Sequence, residues 1–228
     1  MTPLYHDLAG ETVLVFGGGP VGRRKADRFA AETRVIVVSP AFDERLLVLA
    51  GGADGDDAEP TPPRVELIRA APDATAVRGW IDRCSPALVV AATDDPAVNA
   101  AAEAAALDAG VLVNRTDVSG GRDPGSVVVP ATVEDGPVRV AISTGGRSPA
   151  LSKALRQRIE SEIEGAGAMA ELSGELRSEL AEADIDPGDR RAAIRRVVRS
   201  EGVWKGLQKG RSNARTEAYN VIEEVVDR

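Results

Sequence analysis

The sequence predicts an α/β protein that opens with a doubly wound parallel sheet. Residues 12–16, 34–38 and 87–92 are apolar runs rich in valine, as is typical of strands buried on both faces of such a sheet. A glycine turn at residues 17–22 joins the first run to an amphipathic stretch, residues 23–31, which favours a strand–turn–helix unit. Because strands and helices alternate in this way, the first half of the chain is predicted to be a layered α/β domain.

The other elements of this first domain continue the alternation. We predict helices at residues 43–50 and 73–83, and strands at residues 64–70 and 111–114. Asp95 is a favourable N-cap for a helix that begins at Pro96, and Gly110 can end that helix. Residues 51–63 are rich in glycine, proline and acidic side chains, so we expect a disordered surface loop there.

A different pattern begins after Asn114. Residues 126–131 and 137–143 predict two strands, and residues 134–136 between them are typical of a hairpin turn. Pro130 lies inside the first run, which indicates an edge position or a bulge. Because two strands alone bury little apolar surface, the hairpin either extends the sheet or pairs with a second subunit.

The last third of the chain is predicted to be helical. Ser148 is a natural N-cap that follows a glycine turn and precedes a proline. Leucine and isoleucine then recur every four residues, at positions 151, 155, 159 and 163, which indicates an amphipathic helix. Helices continue from residue 167 to the end, with breaks near residues 186–188 and Gly210.

The composition indicates a soluble protein of a reducing compartment. A formal net charge of −8 over 228 residues argues against a general nucleic-acid-binding surface. The single cysteine, Cys84, excludes an internal disulfide, and no apolar run approaches the roughly 20 residues of a membrane span. We therefore expect a cytoplasmic protein with no nucleic-acid or membrane partner. One histidine and one cysteine do not provide a conventional metal site, so no metal ligands are predicted.

The glycine turn contains the pattern G-x-G-x-x-G at residues 17, 19 and 22, where a strand meets a helix. The first glycine permits a tight turn, the second lets a pyrophosphate approach the bare backbone, and the third lets the helix pack against the strand. A plain glycine turn is the alternative, but this context favours a Rossmann-like dinucleotide site. The acidic residue that usually follows the second strand is absent, because Ser39 and Pro40 occupy that position.

Several separate segments resemble the precorrin-2 dehydrogenase family, which includes the N-terminal part of sirohaem synthase and its dehydrogenase/ferrochelatase relatives. The matching segments are Pro3-Leu4-Tyr5, GGGPVGRRKA (17–26), VVAATDDPAVN (89–99), VNRTD (113–117), SVVVPA (126–131) and AISTGGRSPALSKALR (141–156). The GGRSP turn after a hairpin, together with TDD and N-x-x-D, is more specific than the glycine pattern. This family ends its second strand without a carboxylate, as Ser39 does here.

The resemblance implies NAD-dependent oxidation of precorrin-2 to sirohydrochlorin in sirohaem biosynthesis, and it leaves open whether Fe²⁺ insertion follows. It implies a homodimer, which we expect to join through residues 126–143. The regions expected are an NAD-binding Rossmann domain, a small β dimerisation and active-site region, and a helical C-terminal domain, at residues 1–115, 116–147 and 148–228. The residues expected at the cofactor are Gly17, Gly19, Pro20, Val21, Gly22, Ser39, Pro40, Ala41, Phe42, Thr93, Asp94 and Asn114.

Asp117 is the candidate proton acceptor, because it matches the N-x-x-D aspartate of the family; a turn-forming aspartate is the alternative. The implied substrate carries eight carboxylates on a flat apolar ring, which cations and backbone N–H groups would bind. The residues expected there are Arg115, Thr144, Gly145, Gly146, Arg147, Ser148 and Lys153. Residues 188–215 hold nine basic and two acidic side chains, which favours a solvated helix or a lid over carboxylates.

A nucleotide-sensing regulatory domain of a potassium transporter is the alternative function. Such domains also combine G-x-G-x-x-G with a T-x-D-like turn and a following asparagine, here Asn99. They keep an acidic residue after the second strand, which this chain lacks, and they have no reason to contain GGRSP or the Asp117 loop.

Overall fold

The computed structural model describes residues 2–51, 64–118, 124–183 and 185–226, which fall into two compact units, Met1–Val129 and Pro130–Arg228. The first unit contains a five-stranded parallel sheet in the order β3-β2-β1-β4-β5. Its elements are β1 (Thr12–Phe16), α1 (Pro20–Ala30), β2 (Arg34–Ser39), α2 (Glu44–Gly51), β3 (Val65–Arg69), α3 (Val77–Cys84), β4 (Leu88–Ala91), α4 (Pro96–Asp108) and β5 (Leu112–Arg115). The predicted doubly wound α/β sheet is therefore confirmed.

The sheet is covered on both faces, and the apolar residues of its central strands are buried. In β1, Leu14 and Phe16 pack with α3 and α4, whereas Val13 and Val15 pack with α1 and α2. The strand order reverses between β1 and β4, since β2 lies on one side of β1 and β4 on the other. The carboxyl ends of strands beside such a reversal are where doubly wound sheets bind ligands.

The helix after β4 begins as predicted, whereas the helix before it begins later. The Asp95 carboxylate accepts hydrogen bonds from the N–H groups of Ala97 and Val98, which caps α4. Asp73 was expected to lie at the start of α3, but its carboxylate accepts hydrogen bonds from the N–H groups of Thr75 and Ala76 instead. These bonds form a local turn that delays the helix. The surface loop predicted at residues 51–63 lies, after Gly51, outside the described residues.

The second unit begins with an antiparallel hairpin and continues with helices. Its elements are β6 (Ala131–Asp135), β7 (Val138–Ile142), α5 (Pro149–Glu162), α6 (Ala166–Glu182), α7 (Pro187–Arg199), α8 (Glu201–Lys209) and α9 (Arg211–Val226). A hairpin and the predicted helix breaks near Pro187 and Gly210 are confirmed. The hairpin turn lies at residues 136–137, so the prediction of a turn at residues 134–136 is wrong for Glu134 and Asp135, which pair with β7. A further break at Ser200, whose side chain caps α8, was not predicted.

The first hairpin strand begins at Ala131, so the prediction of a strand over residues 126–131 is wrong. Ser126 forms a parallel bridge with Val113 of β5, and the Val127 N–H donates to the Val113 carbonyl at 2.7 Å. Ser126 and Val127 therefore extend the edge of the first unit's sheet. Pro130, which lacks an N–H group, separates that edge from β6.

The apolar stripe of α5 is only half buried. Ser148 caps this helix as predicted, by accepting a hydrogen bond from the Leu151 N–H at 3.2 Å. The helix packs on β6 and β7, yet it contributes no fully buried residue, and Leu151 is 50% exposed. The core of the second unit is formed instead by α6 to α9, around residues such as Leu172 and Leu176. Over the described residues, no helix is long and apolar enough to span a membrane.

Candidate active site

The three glycines of the motif have the mechanical roles that the sequence predicts. Gly17 has a φ of +111°, and a Cβ atom there would lie 2.3 Å from the Ala92 carbonyl oxygen. A Cβ on Gly22 would lie 1.8 Å from the Gly17 carbonyl oxygen, so only glycine lets α1 start this close to the turn. The Gly17 N–H donates to the Val38 carbonyl at 3.0 Å, which fixes the turn against β2.

Gly19 is different, because nothing lies within 4 Å of the Cβ position that its backbone defines. It is the N-cap of α1, and Pro20 is the first helical residue. The first N–H groups of a helix have no intrahelical acceptor, so Val21 and Gly22 present a positive helix end beside this bare backbone. The geometry suits the close approach of a pyrophosphate and satisfies the physical requirement for a bound dinucleotide.

Residues 39–43, at the end of β2 and directly after it, pack against the glycine turn. A Cβ on Gly18 would lie 2.3 Å from the Ala41 carbonyl oxygen and 2.9 Å from Ser39 Cβ, and the Asp43 N–H donates to the Gly18 carbonyl at 2.8 Å. Ser39 is buried, and Phe42 packs with the core on the α1 side of the sheet. The predicted segment Ser39, Pro40, Ala41 and Phe42 therefore lies beside the glycine turn.

Arg69, at the end of β3, also lies on this segment. Its Nη1 donates to the Pro40 carbonyl at 2.9 Å, and its guanidinium carbon lies 5.4 Å from the centroid of the Phe42 ring. A cation at the end of the second strand is the feature that accommodates a 2′-phosphate in NADP-binding sites. Arg69 is a residue that the sequence reasoning missed, because its place beside Pro40 depends on strand order.

The turn after β4 is held by a buried asparagine. Asn99 is fully buried in α4, and its Oδ1 accepts hydrogen bonds from the Thr93 N–H at 3.0 Å and from Thr93 Oγ1 at 2.7 Å. Its Nδ2 donates to the Thr93 carbonyl at 3.0 Å. Asp94 is exposed on this turn, whose backbone also meets Gly17. The Thr93 side chain is thus committed to shaping the turn.

Asn114 has a buried polar atom with no protein partner. Its Nδ2 donates to the Val127 carbonyl at 2.7 Å, whereas its Oδ1 has no hydrogen-bond partner among the described residues. The side chain lies in β5, next to β4, at the end of the sheet that carries the glycine turn. A buried acceptor without a donor destabilises the protein, unless a bound group donates to it. The carboxamide of a nicotinamide ring is such a donor.

Asp117 and Arg115 form a two-point ion pair just past β5. Arg115 donates from Nε to Asp117 Oδ1 at 2.9 Å and from Nη2 to Asp117 Oδ2 at 3.0 Å. Arg115 Nη1 also contacts Glu103 Oε2 at 3.0 Å. The Arg115 guanidinium, with a further hydrogen bond from Asn99, holds the pKa of the Asp117 carboxyl below its usual value. Asp117 is thus an ionised carboxylate at neutral pH, and the predicted substrate ligand Arg115 is already bound to two carboxylates.

The other predicted substrate ligands lie in the second unit, on a preformed loop before α5. Gly145 and Gly146 have φ values of +63° and +78°, which few other residues adopt. Thr144 Oγ1 accepts a hydrogen bond from the Ser148 N–H at 3.2 Å and contacts Ser152 Oγ at 3.1 Å. Arg147 is exposed after this turn, and Lys153 is exposed on the first turns of α5.

Gly18 and Glu103 are two further residues that the sequence reasoning missed. Gly18 had a weak signal, since it is the middle residue of three consecutive glycines. Glu103 had a clearer one, because it is the only acidic residue between Pro96 and Leu107 in an alanine-rich helix. Its carboxylate also accepts a hydrogen bond from Ser126 Oγ at 3.2 Å. It therefore ties α4 to both Arg115 and the segment after the Asp117 loop.

The fold and the glycine turn define an NAD(P)-binding domain of the Rossmann type. Residues 4–131 match the family described as NAD(P)-binding, which is more than half of the chain. Residues 135–162, from the end of β6 to the end of α5, match the family described as sirohaem biosynthesis protein, central.

Similar proteins of known name narrow this class. The chain is 33% identical to the precorrin-2 dehydrogenase of Methanosarcina barkeri over 96% of this chain and 92% of that one. It is 32% identical to siroheme synthase 1 of Aeromonas salmonicida over 91% of this chain, and it spans 41% of that longer protein. A solved structure of SirC, a precorrin-2 dehydrogenase, shares the fold with a TM-score of 0.69 at 21% identity, covering 98% of this chain and all of that one. The chain belongs to the precorrin-2 dehydrogenase family.

Proposed function

We propose that this chain oxidises precorrin-2 to sirohydrochlorin with NAD⁺ as hydride acceptor. The observation that supports this most is the Gly17–Gly22 turn, whose second glycine opens onto free space beside the start of α1, in a chain of the precorrin-2 dehydrogenase family. The same matches favour this enzyme over the nucleotide-sensing domain of a potassium transporter, for which no comparison offers support. NAD⁺, when bound, supplies the site that accepts a hydride from the substrate.

Different segments of the chain would bind different parts of the cofactor. The start of α1, with Gly19, Pro20, Val21 and Gly22, would bind the pyrophosphate through backbone N–H groups. The segment from Ser39 to Phe42 would line the adenosine side, since it lies against Gly18 at the end of β2. Asn114 would accept a hydrogen bond from the nicotinamide carboxamide through its orphaned Oδ1. The Thr93–Asp94 turn would complete the wall beside Gly17.

We assign proton removal to Asp117. Oxidation of the macrocycle releases one proton for each hydride, and a positioned carboxylate can take that proton. The ion pair with Arg115 keeps Asp117 ionised, so the carboxylate is ready to accept a proton at any pH above its ordinary pKa. The same ion pair lowers the basicity of the Asp117 carboxylate. The hydrogen bonds from Arg115 must therefore lengthen or break as the proton is transferred to Asp117. If Fe²⁺ insertion follows, the same carboxylate would take the pyrrole protons.

The proposed reaction has a direct test in the appearance of NADH. The purified chain, given precorrin-2 and NAD⁺, should produce NADH at a rate proportional to enzyme concentration, measured by absorbance. A parallel reaction with NADP⁺ probes the cofactor choice, because Ser39 makes no acidic contact and Arg69 lies beside Pro40. A faster reaction with NADP⁺ would change the cofactor alone. Folded protein that forms neither reduced cofactor would refute the proposed function.

We also propose a homodimer that joins through residues 126–143, as the family resemblance implies. Within the described chain the β6–β7 sheet has two strands, and a two-stranded hairpin is marginally stable alone. Leu151 of α5, which packs on this hairpin, is half exposed. A second copy that extends the sheet would bury both surfaces.

The subunit number is measured by light scattering coupled to gel filtration. We expect twice the mass of the 228-residue chain at micromolar concentration. A charged substitution at the half-exposed apolar position, Leu151→Glu, should shift the mass toward that of one chain, whereas Leu47→Glu on the exposed face of α2 should not. A wild-type protein with the mass of one chain at this concentration would contradict the dimer.

A further inference from the structure

A groove of about 630 Å³ lies between α6 and α7 in the second unit. Four guanidinium groups and three apolar side chains line it: Arg177, Arg190, Arg191 and Arg195, with Ala181, Pro187 and Ile194. Its volume falls in the range of sites for small organic ligands. No carboxylate lines the groove within the part of the chain that the structure describes. The lining of the groove therefore combines apolar side chains with four positive charges.

Helical spacing places these arginines together. Positions 187, 190, 191, 194 and 195 of α7 follow the i, i+3, i+4, i+7, i+8 pattern of a single helix face. Positions 177 and 181 lie one turn apart on α6, across the groove. In α7, Ala193 and Val197 belong to the core and Ile194 packs against it, whereas Arg191 and Arg195 are exposed.

The groove arginines differ in their partners from three other arginines of α7 and α9. Arg196 pairs with Glu224 at 2.5 Å, Arg211 pairs with Glu175, and Arg215 pairs with Glu179. None of the four groove arginines has a salt bridge to any residue that the structure describes, although Arg191 Nε donates to the Pro187 carbonyl at 3.0 Å. Arg191 and Arg195 stand one turn apart on α7, where like charges repel. An anionic ligand would relieve this repulsion.

We propose that this groove binds the carboxylates of a flat macrocyclic polycarboxylate, the substrate class of the proposed function on which this inference rests. Guanidinium groups bind carboxylates through paired hydrogen bonds, and four of them can hold acid groups spread around one ring. The apolar lining residues Ala181, Pro187 and Ile194 offer the apolar contact that the face of such a ring needs. A nucleic acid would satisfy the arginines but not the apolar lining, and the net charge of −8 opposes it.

The test uses porphyrins of graded charge as probes. Uroporphyrin, which has eight carboxylates, and mesoporphyrin, which has two on a similar ring, are titrated against the full chain by fluorescence at low and high salt. We expect uroporphyrin to bind more tightly, with an affinity that falls as salt rises. The variant Arg177→Gln/Arg195→Gln removes one guanidinium from each wall of the groove and should raise the uroporphyrin Kd by about tenfold. It should leave NAD⁺ affinity unchanged, because the residues proposed to hold the nucleotide lie in the first unit.

The matched control is Arg158→Gln/Arg199→Gln, which removes the same charge from exposed positions of α5 and α7 outside the groove. Equal uroporphyrin affinities for the groove variant and this control would overturn the proposal, as would equal binding of the two porphyrins. Inorganic pyrophosphate that binds more tightly than uroporphyrin, and whose binding is weakened by Arg177→Gln/Arg195→Gln, would overturn the carboxylate assignment. The porphyrin titration does not depend on catalysis. If the chain forms no NADH, the proposed reaction is refuted, but the titration still shows whether the groove binds a polycarboxylate.

Discussion

Replacing Asp117 with asparagine should reduce turnover by roughly 10²–10⁴-fold, the usual contribution of a positioned general base. Asparagine keeps the size and turn-forming ability of aspartate but cannot take a proton. The affinity for NAD⁺ should stay nearly unchanged, because the residues proposed to hold the pyrophosphate and the adenosine lie after β1 and β2, and Asn114 would bind the nicotinamide through its own side chain. The measurements are single-turnover NADH formation with precorrin-2 and a separate NAD⁺ titration. If iron insertion occurs, it should fall in parallel.

Glu103→Gln is the matched control for this variant, since Glu103 is the other carboxylate on Arg115. It removes the same charge from the same cluster and leaves the Arg115–Asp117 contact in place, so turnover should change only a few fold. An equal loss in both variants would show that the cluster acts through Arg115 and not through proton transfer. Full activity of Asp117→Asn would remove Asp117 from the mechanism and leave it a turn-forming residue.

The pH dependence of turnover is a second test of Asp117 as the proton acceptor. Because the pKa of Asp117 is lowered in the folded chain, the acidic limb that it controls should lie below the ordinary value of 3.8. The stabilisation from its pair with Arg115 is present above the unfolded-state pKa and is lost as the pH falls through the lower folded-state pKa. Asp117 therefore stays ionised from mildly acidic to neutral pH, and its titration should cause no change in activity over that range.

Gly22→Ala should mainly lower the stability of the fold, whereas Gly19→Ala should mainly lower the affinity for NAD⁺. The Cβ of Gly22→Ala would meet the Gly17 carbonyl oxygen at 1.8 Å, so the turn must shift, and we expect a loss of about 2–3 kcal/mol in the free energy of unfolding. Gly19→Ala meets no atom within 4 Å, so its cost should stay below about 1 kcal/mol. Its methyl group, however, would occupy the space proposed for the pyrophosphate. NAD⁺ affinity should fall at least about tenfold, equivalent to about 1.4 kcal/mol.

Denaturant unfolding and NAD⁺ titration distinguish these effects. Gly174→Ala is the control for a glycine replacement as such, because Gly174 lies in α6 with nothing within 4 Å of its Cβ position. It should stabilise the chain by about 0.5–1 kcal/mol and leave NAD⁺ binding unchanged. Normal NAD⁺ affinity in a folded Gly19→Ala variant would argue against a pyrophosphate at this turn.

The parts of the fold set by neighbouring residues could be predicted from the sequence. The β1–glycine–α1 unit and the caps of α4 and α5 follow from residues a few positions apart, and each is confirmed. The valines before Pro130 misled the prediction, because a β-branched run suits the edge of β5 as well as a hairpin strand. Local sequence does not distinguish these partners.

The candidate site was less predictable, because its contacts join distant segments. Arg115 was expected to face the substrate, yet Glu103, twelve positions earlier, and Asp117 both bind its guanidinium. The closure of the Ala41 carbonyl over Gly18 likewise depends on the packing of β2 beside β1. Residue types suggested which groups belong to the site, but strand order decides which of them touch.

The half-buried stripe of α5 has a consequence for how the stability of the second unit is measured. If a second copy covers Leu151 and its neighbours, unfolding is linked to dissociation, and the melting temperature rises with protein concentration. Each tenfold dilution then weakens the assembled state by about 1.4 kcal/mol. The protein concentration would thus help to set the fraction of the second unit that is folded, so dilute assays would understate the stability of concentrated protein.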